Sequence, residues 1–357
     1  MNDRLMIGTR KGLFELRPAR GAWTITKTSF LGDPISMLLA DPSDGILYAA
    51  QALGHFGVKL QRSSDGGDSW QECAAPAFAK GEPDDASVSY LLCLETGGPD
   101  HPGWLWCGTV PGGLFLSKDR GDSWSLNEAL WHRPERKEWT GGGFDAAGID
   151  SICVDPRGSD RIAIGVSTGG VWITEDGGGA WHPSSTGMYA EYMPPQRRED
   201  PIAQDVHRLV QCRAAPDTFW VQHHNGVFRS TDGARTWQDV STIRPAKFGF
   251  AVAVHPNDPD TAWFVPGVKD ECRIPVDARL VVARTRDGAR SFDVLTEGLP
   301  QQHAYDLIYR HGLAVDGTGT CLAMGSTTGH LWTSQNAGES WTLVAGNLPP
   351  IACVRFC

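Results

Sequence analysis

Long apolar runs are missing from this sequence. No stretch of its 357 residues approaches the ~20 consecutive apolar side chains of a membrane-spanning helix. The opening Met1-Asn2-Asp3-Arg4-Leu5 has no basic segment followed by an apolar one, so a secretory leader is not expected. Positive charge is in deficit: 32 Lys and Arg stand against 42 Asp and Glu, a net of −10. Binding nucleic acid without sequence preference takes a basic face, and anionic membranes attract basic segments. Neither partner is expected. The nine cysteines are odd in number and include no Cys-x-x-Cys pair. A zinc or disulfide framework needs tighter spacing. Cys93, Cys153, Cys212 and Cys353 each sit in an apolar run and read as small buried hydrophobes in a reducing cytoplasm.

What is present in excess is glycine (42), proline (23) and tryptophan (14). Many turns in a chain that is 41% hydrophobic suggest short strands around a sizeable core. One octet recurs, Ser/Thr-x-Asp-x-Gly-x-Ser/Thr-Trp. It reads SSDGGDSW from Ser63, SKDRGDSW from Ser117, TEDGGGAW from Thr174 and STDGARTW from Ser230. Weaker copies are TRDGARSF from Thr285 and SQNAGESW from Ser334, and a degenerate one, LRPARGAW, runs from Leu16 to Trp23. Apolar runs flank each copy, so the octet reads as a hairpin turn. Its Asp can accept backbone N–H groups, its first hydroxyl can lock the turn from the other side, and its Trp offers an apolar face to the next unit.

Two further strand-like runs precede each hairpin, as in Ile149–Val154 and positions 161–166, separated by Asp155-Pro156-Arg157-Gly158. Each repeat is then four short strands, A to D, and units of ~50 residues built this way are propeller blades. Seven octets imply an all-β, seven-bladed β-propeller that occupies residues 1–357 as one domain. The first unit has strands B, C and D but no A, while Ile351-Ala352-Cys353-Val354-Arg355-Phe356-Cys357 reads as an A strand with nothing after it. The C-terminal strand is therefore expected to complete blade one and remove the exposed edges.

These octets resemble those of the BNR or Asp-box family, over nearly the whole chain. The family includes sialidases with six blades, and xyloglucanases, sortilin-type receptors and photosystem II assembly factors with larger propellers. The resemblance is strongest to compact bacterial seven-bladed proteins labelled glycosyl hydrolase or exo-sialidase-like. It implies the fold; the octet itself implies nothing about catalysis. A sialidase needs three arginines for a carboxylate, a Tyr nucleophile with a Glu partner, an acidic Asp, and an Arg-Ile-Pro motif before its first box. Arg273-Ile274-Pro275 occurs here only in blade six, and nothing pairs the other groups by spacing.

Function in such a fold is expected where strand A begins and where the B–C loops turn. Four connections stand out by length or polarity: 127–148, 187–205, 266–277 and 299–311. Blade five departs from the repeat with His223-His224 where siblings read Ser167-Thr168-Gly169 and Ser326-Thr327-Thr328. Alternation puts Asp205 and His207 on one side of its strand A. Candidate catalytic residues are Asp205, His207, His223, His224 and Asp306. Candidate substrate-binding residues are His132, Tyr192, Arg197, Arg198, Asp270, Glu271, Arg273, His303 and Arg310. Three readings stay open for the histidines: a divalent metal such as zinc on His207, His223 and His224; acid–base work without metal; or bonds to backbone carbonyls. The function expected is hydrolysis of a small-molecule or carbohydrate ligand. The alternative is a non-catalytic module that binds a protein partner on its rim.

Overall fold

The computed structural model describes residues 4–19, 21–79, 87–141 and 144–357. Met1–Asp3, read above for a leader, Arg20 of the first octet and positions 142–143 lie outside the described residues. Seven four-stranded antiparallel sheets make a seven-bladed β-propeller. Blade one is Ile351–Phe356, Leu5–Thr9, Gly12–Ala19 and Ala22–Ser29, in that spatial order. Its C-terminal strand pairs with the first from Leu5↔Phe356 to Thr9↔Ile351, which closes the fold as the missing strand A required.

The chain divides into two compact units. One holds blade one and blades five to seven (Met1–Gly32 and His207–Cys357); the other, Asp33–Val206, holds blades two to four. In the first unit the core lies between neighbouring sheets. Trp220, Val252, Phe264 and Ala283 join blade five to six; Ala251, Trp263, Met324 and Trp341 join six to seven; Ala323, Leu331, Ile7 and Val354 join seven to one. In the second unit Trp106, Ile149, Ile164, Trp172 and Trp181 join blade three to four. Inner strands are covered on both faces, which is why runs such as Gly249–Val254 are buried throughout and read as continuous apolar segments rather than alternating ones. Most outer strands are short, as in His182–Pro183 and Gln238–Asp239, a poor template for pairing with another chain; that of blade one, Ala22–Ser29, is longer.

Six octets share one hydrogen-bonded turn. In the copy from Thr285, the Thr285 hydroxyl donates to Asp287 Oδ1 at 3.0 Å and accepts from Ala289 N at 2.9 Å. Asp287 accepts from Ser291 N at 3.0 Å and from the Ser291 hydroxyl at 2.6 Å. The copies from Ser63, Ser117 and Ser230 repeat all four bonds; the one from Thr174 has Ala180 in place of the second hydroxyl. In the copy from Ser334, Asn336 Oδ1 takes the carboxylate's place and its amide donates to Ser340 Oγ at 2.9 Å. The fifth position has positive φ throughout, satisfied by Gly at 67, 121, 178 and 338 and tolerated by Ala234 and Ala289. The degenerate first copy does not form this loop: Ala19 pairs with Ala22 in a tight hairpin, since Arg17 and Pro18 belong to strand C. Of the closing aromatics, Trp181, Trp237 and Trp341 are buried, while Trp70 and Trp124 are half-buried.

Two outcomes follow. Deleting Ile351–Cys357 uncovers Leu5 and Ile7 and removes the Arg355 bond to buried His311, Nη2 to Nδ1 at 2.8 Å. Loss of the buried Ile351, Cys353 and Val354 side chains alone costs about 5 kcal/mol. The truncated chain is expected to lose its cooperative thermal transition; an unchanged melting temperature contradicts the closure. The second outcome concerns acid. The Ser291 hydroxyl and its amide hold the Asp287 carboxyl at about 2, against 3.8 unperturbed. A depressed carboxyl contributes stability above its unfolded value and loses it as pH falls through the folded one. Asn336 already shows that an amide makes this turn, so Asp287→Asn should match the parent at pH 7. It should then lose less melting temperature than the parent between 3.8 and about 2. Parallel curves for the two proteins would show that the turn carboxylates do not set the acid limb.

Candidate functional site

In every sheet the approach to strand A and the B–C turn lie at one end. In blades five to seven that end collects titratable and aromatic side chains. Strand A of blade five, Val206–Gln211, carries His207, which is 2% exposed. Its Nδ1 lies 2.6 Å from the carbonyl of Gly249, the first residue of strand A of blade six. A carbonyl only accepts, so Nδ1 bears the proton and Nε2 keeps the lone pair. Position 249 has no room for a larger residue, because of Val265 and Gln222 rather than His207. A Cβ at Gly249 would lie 2.8 Å from the Val265 carbonyl oxygen and 3.2 Å from Gln222 Oε1. The His207 ring stacks on Phe250, centroids 4.3 Å apart and 14° from parallel. The two residues hold the same register, five positions ahead of Cys212 and His255, whose N–H groups close the A–B turns.

His224 sits in the B–C turn of blade five, its ring centroid 5.5 Å from that of His207 and 5.8 Å from that of Phe248. Buried Gln222 fixes this turn, its amide donating to the carbonyls of His223, Gly226 and Lys247 at 3.0–3.1 Å. Asp205 is buried at the end of the second unit, one residue before strand A of blade five. His223, read with His207 and His224 as a metal ligand, is fully buried. Its Nδ1 accepts from Asn225 N at 3.0 Å and its ring meets Phe228 edge-on, because successive residues at the end of the strand point to opposite faces.

Phe250 links this group to blades six and seven. The guanidinium carbons of Arg273 and Arg310 lie 5.4 and 5.8 Å from its centroid, and Tyr309 packs on it edge-on at 4.8 Å. Arg273 is set by its own loop. Val268 N donates to the Ile274 carbonyl, Asp270 accepts from Arg273 Nε and Nη2 at 3.0 and 2.5 Å, and Arg273 Nη1 reaches the Tyr309 hydroxyl at 3.4 Å. Arg310 is 8% exposed, in a short 3-10 turn. Glu271 is exposed and pairs with Lys269 at 3.6 Å. His303 is exposed with φ of 53°.

Asp306 is buried and engaged. Its Oδ1 accepts from the Thr328 hydroxyl and from His330 Nδ1, the latter at 2.7 Å. The His330 side chain is 35% exposed, and its backbone N–H is held by Ser326 Oγ at 3.0 Å. His330, Phe248, Phe250 and Tyr309 were not among the sequence candidates. A signal for His330 existed: it stands where blades four and five have Gly170 and Gly226.

The remaining candidates belong to the second unit. His132 caps a four-residue helix, Glu128–Trp131, and is exposed. Arg197 pairs with Glu138 and Asp200, each at 2.9 Å, and Arg198 donates to the Met193 carbonyl. The Tyr192 hydroxyl donates to the Ala203 carbonyl at 2.8 Å. Burial, reinforced by the Asp205 charge, pushes that phenol far above its usual range, which opposes use as a phenolate nucleophile.

No protein-family model matches this chain, and no curated protein matches it. Solved structures share its fold. A functionally unknown protein from Desulfotomaculum acetoxidans DSM 771 is similar with a TM-score of 0.60, 11% identity and 99% of each chain covered. An ancestral GH74 enzyme gives 0.58 at 18% identity over 87% of this chain, which spans only 38% of that one. YCF48 bound to D1 peptide gives 0.57 at 14% identity, covering 94% of this chain and 90% of that one. At such identities the likeness is one of fold alone. Among the described residues no helix is long and apolar enough to cross a membrane.

Gly249 gives a test of how His207 is held. Gly249→Ala forces a methyl group against the Val265 carbonyl and displaces the acceptor of His207, at a cost of about 1–3 kcal/mol. Thermal unfolding checks it; a melting temperature equal to the parent's would show that the strand yields without strain.

Proposed function

We propose that this chain is a hydrolase for a small ligand, glycosidic ligands included, working at the B–C end of blades five to seven. The observation that carries the reading is the pair formed by buried Asp306 and half-exposed His330. An ionised carboxylate accepts only, so it fixes the proton on Nδ1 and leaves Nε2 as the basic nitrogen. This is the orienting relation of a general base, and it supports the following step. Water gives a proton to His330 Nε2 as its oxygen attacks the electrophilic carbon. The same proton then passes to the leaving oxygen, and the imidazole returns to its starting form.

Arg273 and Arg310 suit a ligand that carries negative charge or develops it during attack. A two-carboxylate glycosidase mechanism has less support, because Asp306 already serves His330 and Thr328. A rim module that only binds a partner has no use for an imidazole oriented by a buried acid. A likeness in fold to an ancestral GH74 enzyme is compatible with hydrolysis, and one to YCF48 bound to D1 peptide with partner binding; neither decides between them. All nine cysteines are free thiols, in keeping with a reducing cytoplasm.

The test is a panel of 4-nitrophenyl glycosides and 4-nitrophenyl esters. Turnover of at least one member is expected, with His330→Gln lowering kcat by roughly 10²–10⁴ at an unchanged melting temperature. Turnover of none, or a variant as fast as the parent, overturns the reading.

A further inference from the structure

We infer that Ser326 and Thr328 are positioning residues for His330, closing with Asp306 a circuit of hydrogen bonds that fixes the proton and the plane of its imidazole. The inference rests on the reading of His330 as the base, and its test includes a readout that needs no turnover.

Counting protons fixes the direction of every bond. Asp306 Oδ1 accepts from the Thr328 hydroxyl and from His330 Nδ1, the latter at 2.7 Å. The carboxylate donates nothing, so the one hydroxyl proton of Thr328 goes to Asp306. Ser326 Oγ lies 2.9 Å from Thr328 Oγ1. Thr328 has no second proton, so Ser326 donates there and Thr328 accepts. Ser326 Oγ in turn accepts from the His330 backbone N–H at 3.0 Å. The bonds thus run one way, from the His330 amide through two hydroxyls to Asp306, and the His330 ring closes the circuit at the same oxygen. Nδ1 also lies 3.3 Å from Thr328 Oγ1, but the nearer and charged acceptor takes its proton.

The turn is built to hold these groups. Ser326 N donates to the His330 carbonyl at 2.9 Å and Gly329 N to the Ser326 carbonyl at 3.2 Å. Thr327 N donates to the Leu307 carbonyl at 2.9 Å, which sets the turn against the segment that carries Asp306. Gly329 has φ of 93°, and a Cβ there would lie 1.8 Å from the Leu348 carbonyl oxygen. Glycine alone fits, and it lets the side chains at positions 326, 328 and 330 converge. At the far edge of the ring, a Cβ at Gly346 would lie 3.7 Å from Nε2, so that position leaves the basic nitrogen uncovered. Two donors on one oxygen restrain the rotation of the Asp306 carboxylate, and linked bonds strengthen one another. The lone pair on Nε2 is thereby held in one direction, which proton transfer needs.

The test is NMR of the full chain, labelled with ¹⁵N at histidine, in mildly alkaline buffer where the imidazoles are neutral. The parent is expected to show one His330 ring with a protonated Nδ1 and an unprotonated Nε2, assigned by its loss in His330→Gln. Thr328→Val keeps the shape of an exposed side chain but removes the donor to Asp306 and the acceptor of Ser326. It should speed exchange of the Nδ1 proton with water by at least about 10-fold. On whichever substrate the parent turns over, it should also lower kcat by about 10-fold, with the melting temperature close to the parent's. Thr328→Ser keeps the hydroxyl and should restore both. Ser326→Ala should show the same two changes, with some loss of melting temperature because the residue is buried. The inference fails if Nδ1 is unprotonated in the parent, or if Thr328→Val matches the parent in exchange or in kcat. It fails equally if Thr328→Ser behaves as Thr328→Val does, or if Thr328→Val lowers only the melting temperature. Should no substrate be turned over, the reading of His330 as a base falls by itself, and the exchange rates still decide whether the two hydroxyls hold the ring.

Discussion

A four-stranded sheet whose inner strands are apolar on both faces cannot remain single in water. Gly249–Val254 is buried at every position, and the strand facing it, Ala262–Pro266, is too. Each face must meet another sheet, so every blade needs two neighbours, and the set is stable only when no blade is left terminal. The pairing of Ile351–Phe356 with Leu5–Thr9 answers that demand with main-chain bonds rather than side-chain packing alone. The octets serve the same requirement from outside. By satisfying their own donors and acceptors, they let the C–D turns sit beside the next blade; Trp263 Nε1, for example, donates to the Ala337 carbonyl within the octet of blade seven at 2.9 Å.

That division of labour governs what could be read from the chain. The octets are legible because the turn tolerates few side chains: a hydroxyl, a carboxylate or its amide, and residues able to take positive φ at the fourth and fifth positions. The strands are legible as apolar runs between such turns, and blade number follows by counting. The degenerate copy misled as a loop because LRPARGAW keeps the spacing but not the hydroxyl or the acid. The four long connections were visible by composition, but not their internal order. Asn127 caps a helical turn by accepting from Leu130 N, and Arg197 turns back to Glu138 and Asp200. Such local ties depend on where the loop meets its own blade.

The site was legible in the same uneven way. Alternation puts Asp205 and His207 on one side of strand A as an expectation, and the departure from the repeat points to His223-His224. Which of two adjacent histidines turns toward His207 is set by the direction of the strand end, which composition does not carry. Asp306 was visible by composition, but its pairing with His330 was not, although His330 breaks the repeat as plainly as His224 does. Phe248, Phe250 and Tyr309 read as core residues, and in packing terms they are. Their second use, fixing the angle of His207 and lying beside two guanidinium groups, emerges only when blades five, six and seven are brought side by side.

In blades five to seven a B–C turn carries a polar group, His224, Arg273 or His330, and each contacts an aromatic or acidic residue of a strand A or its approach: Phe248, Phe250 and Asp306 respectively. Repetition supplies the frame cheaply, because the same turns and strands recur. Chemistry enters where a small or hydroxyl-bearing residue of the repeat is exchanged for an imidazole or a guanidinium. Such exchanges burden the fold little, since the B–C turn contributes few of the buried contacts between sheets. The inner strands, by contrast, admit almost no exchange, as Gly249 shows, where even a methyl group meets backbone. The polar groups lie on turns that can vary, and their acceptors and stacking partners lie on strands that cannot. The geometry around His207, with its proton fixed by Gly249 and its plane fixed by Phe250, follows from that arrangement.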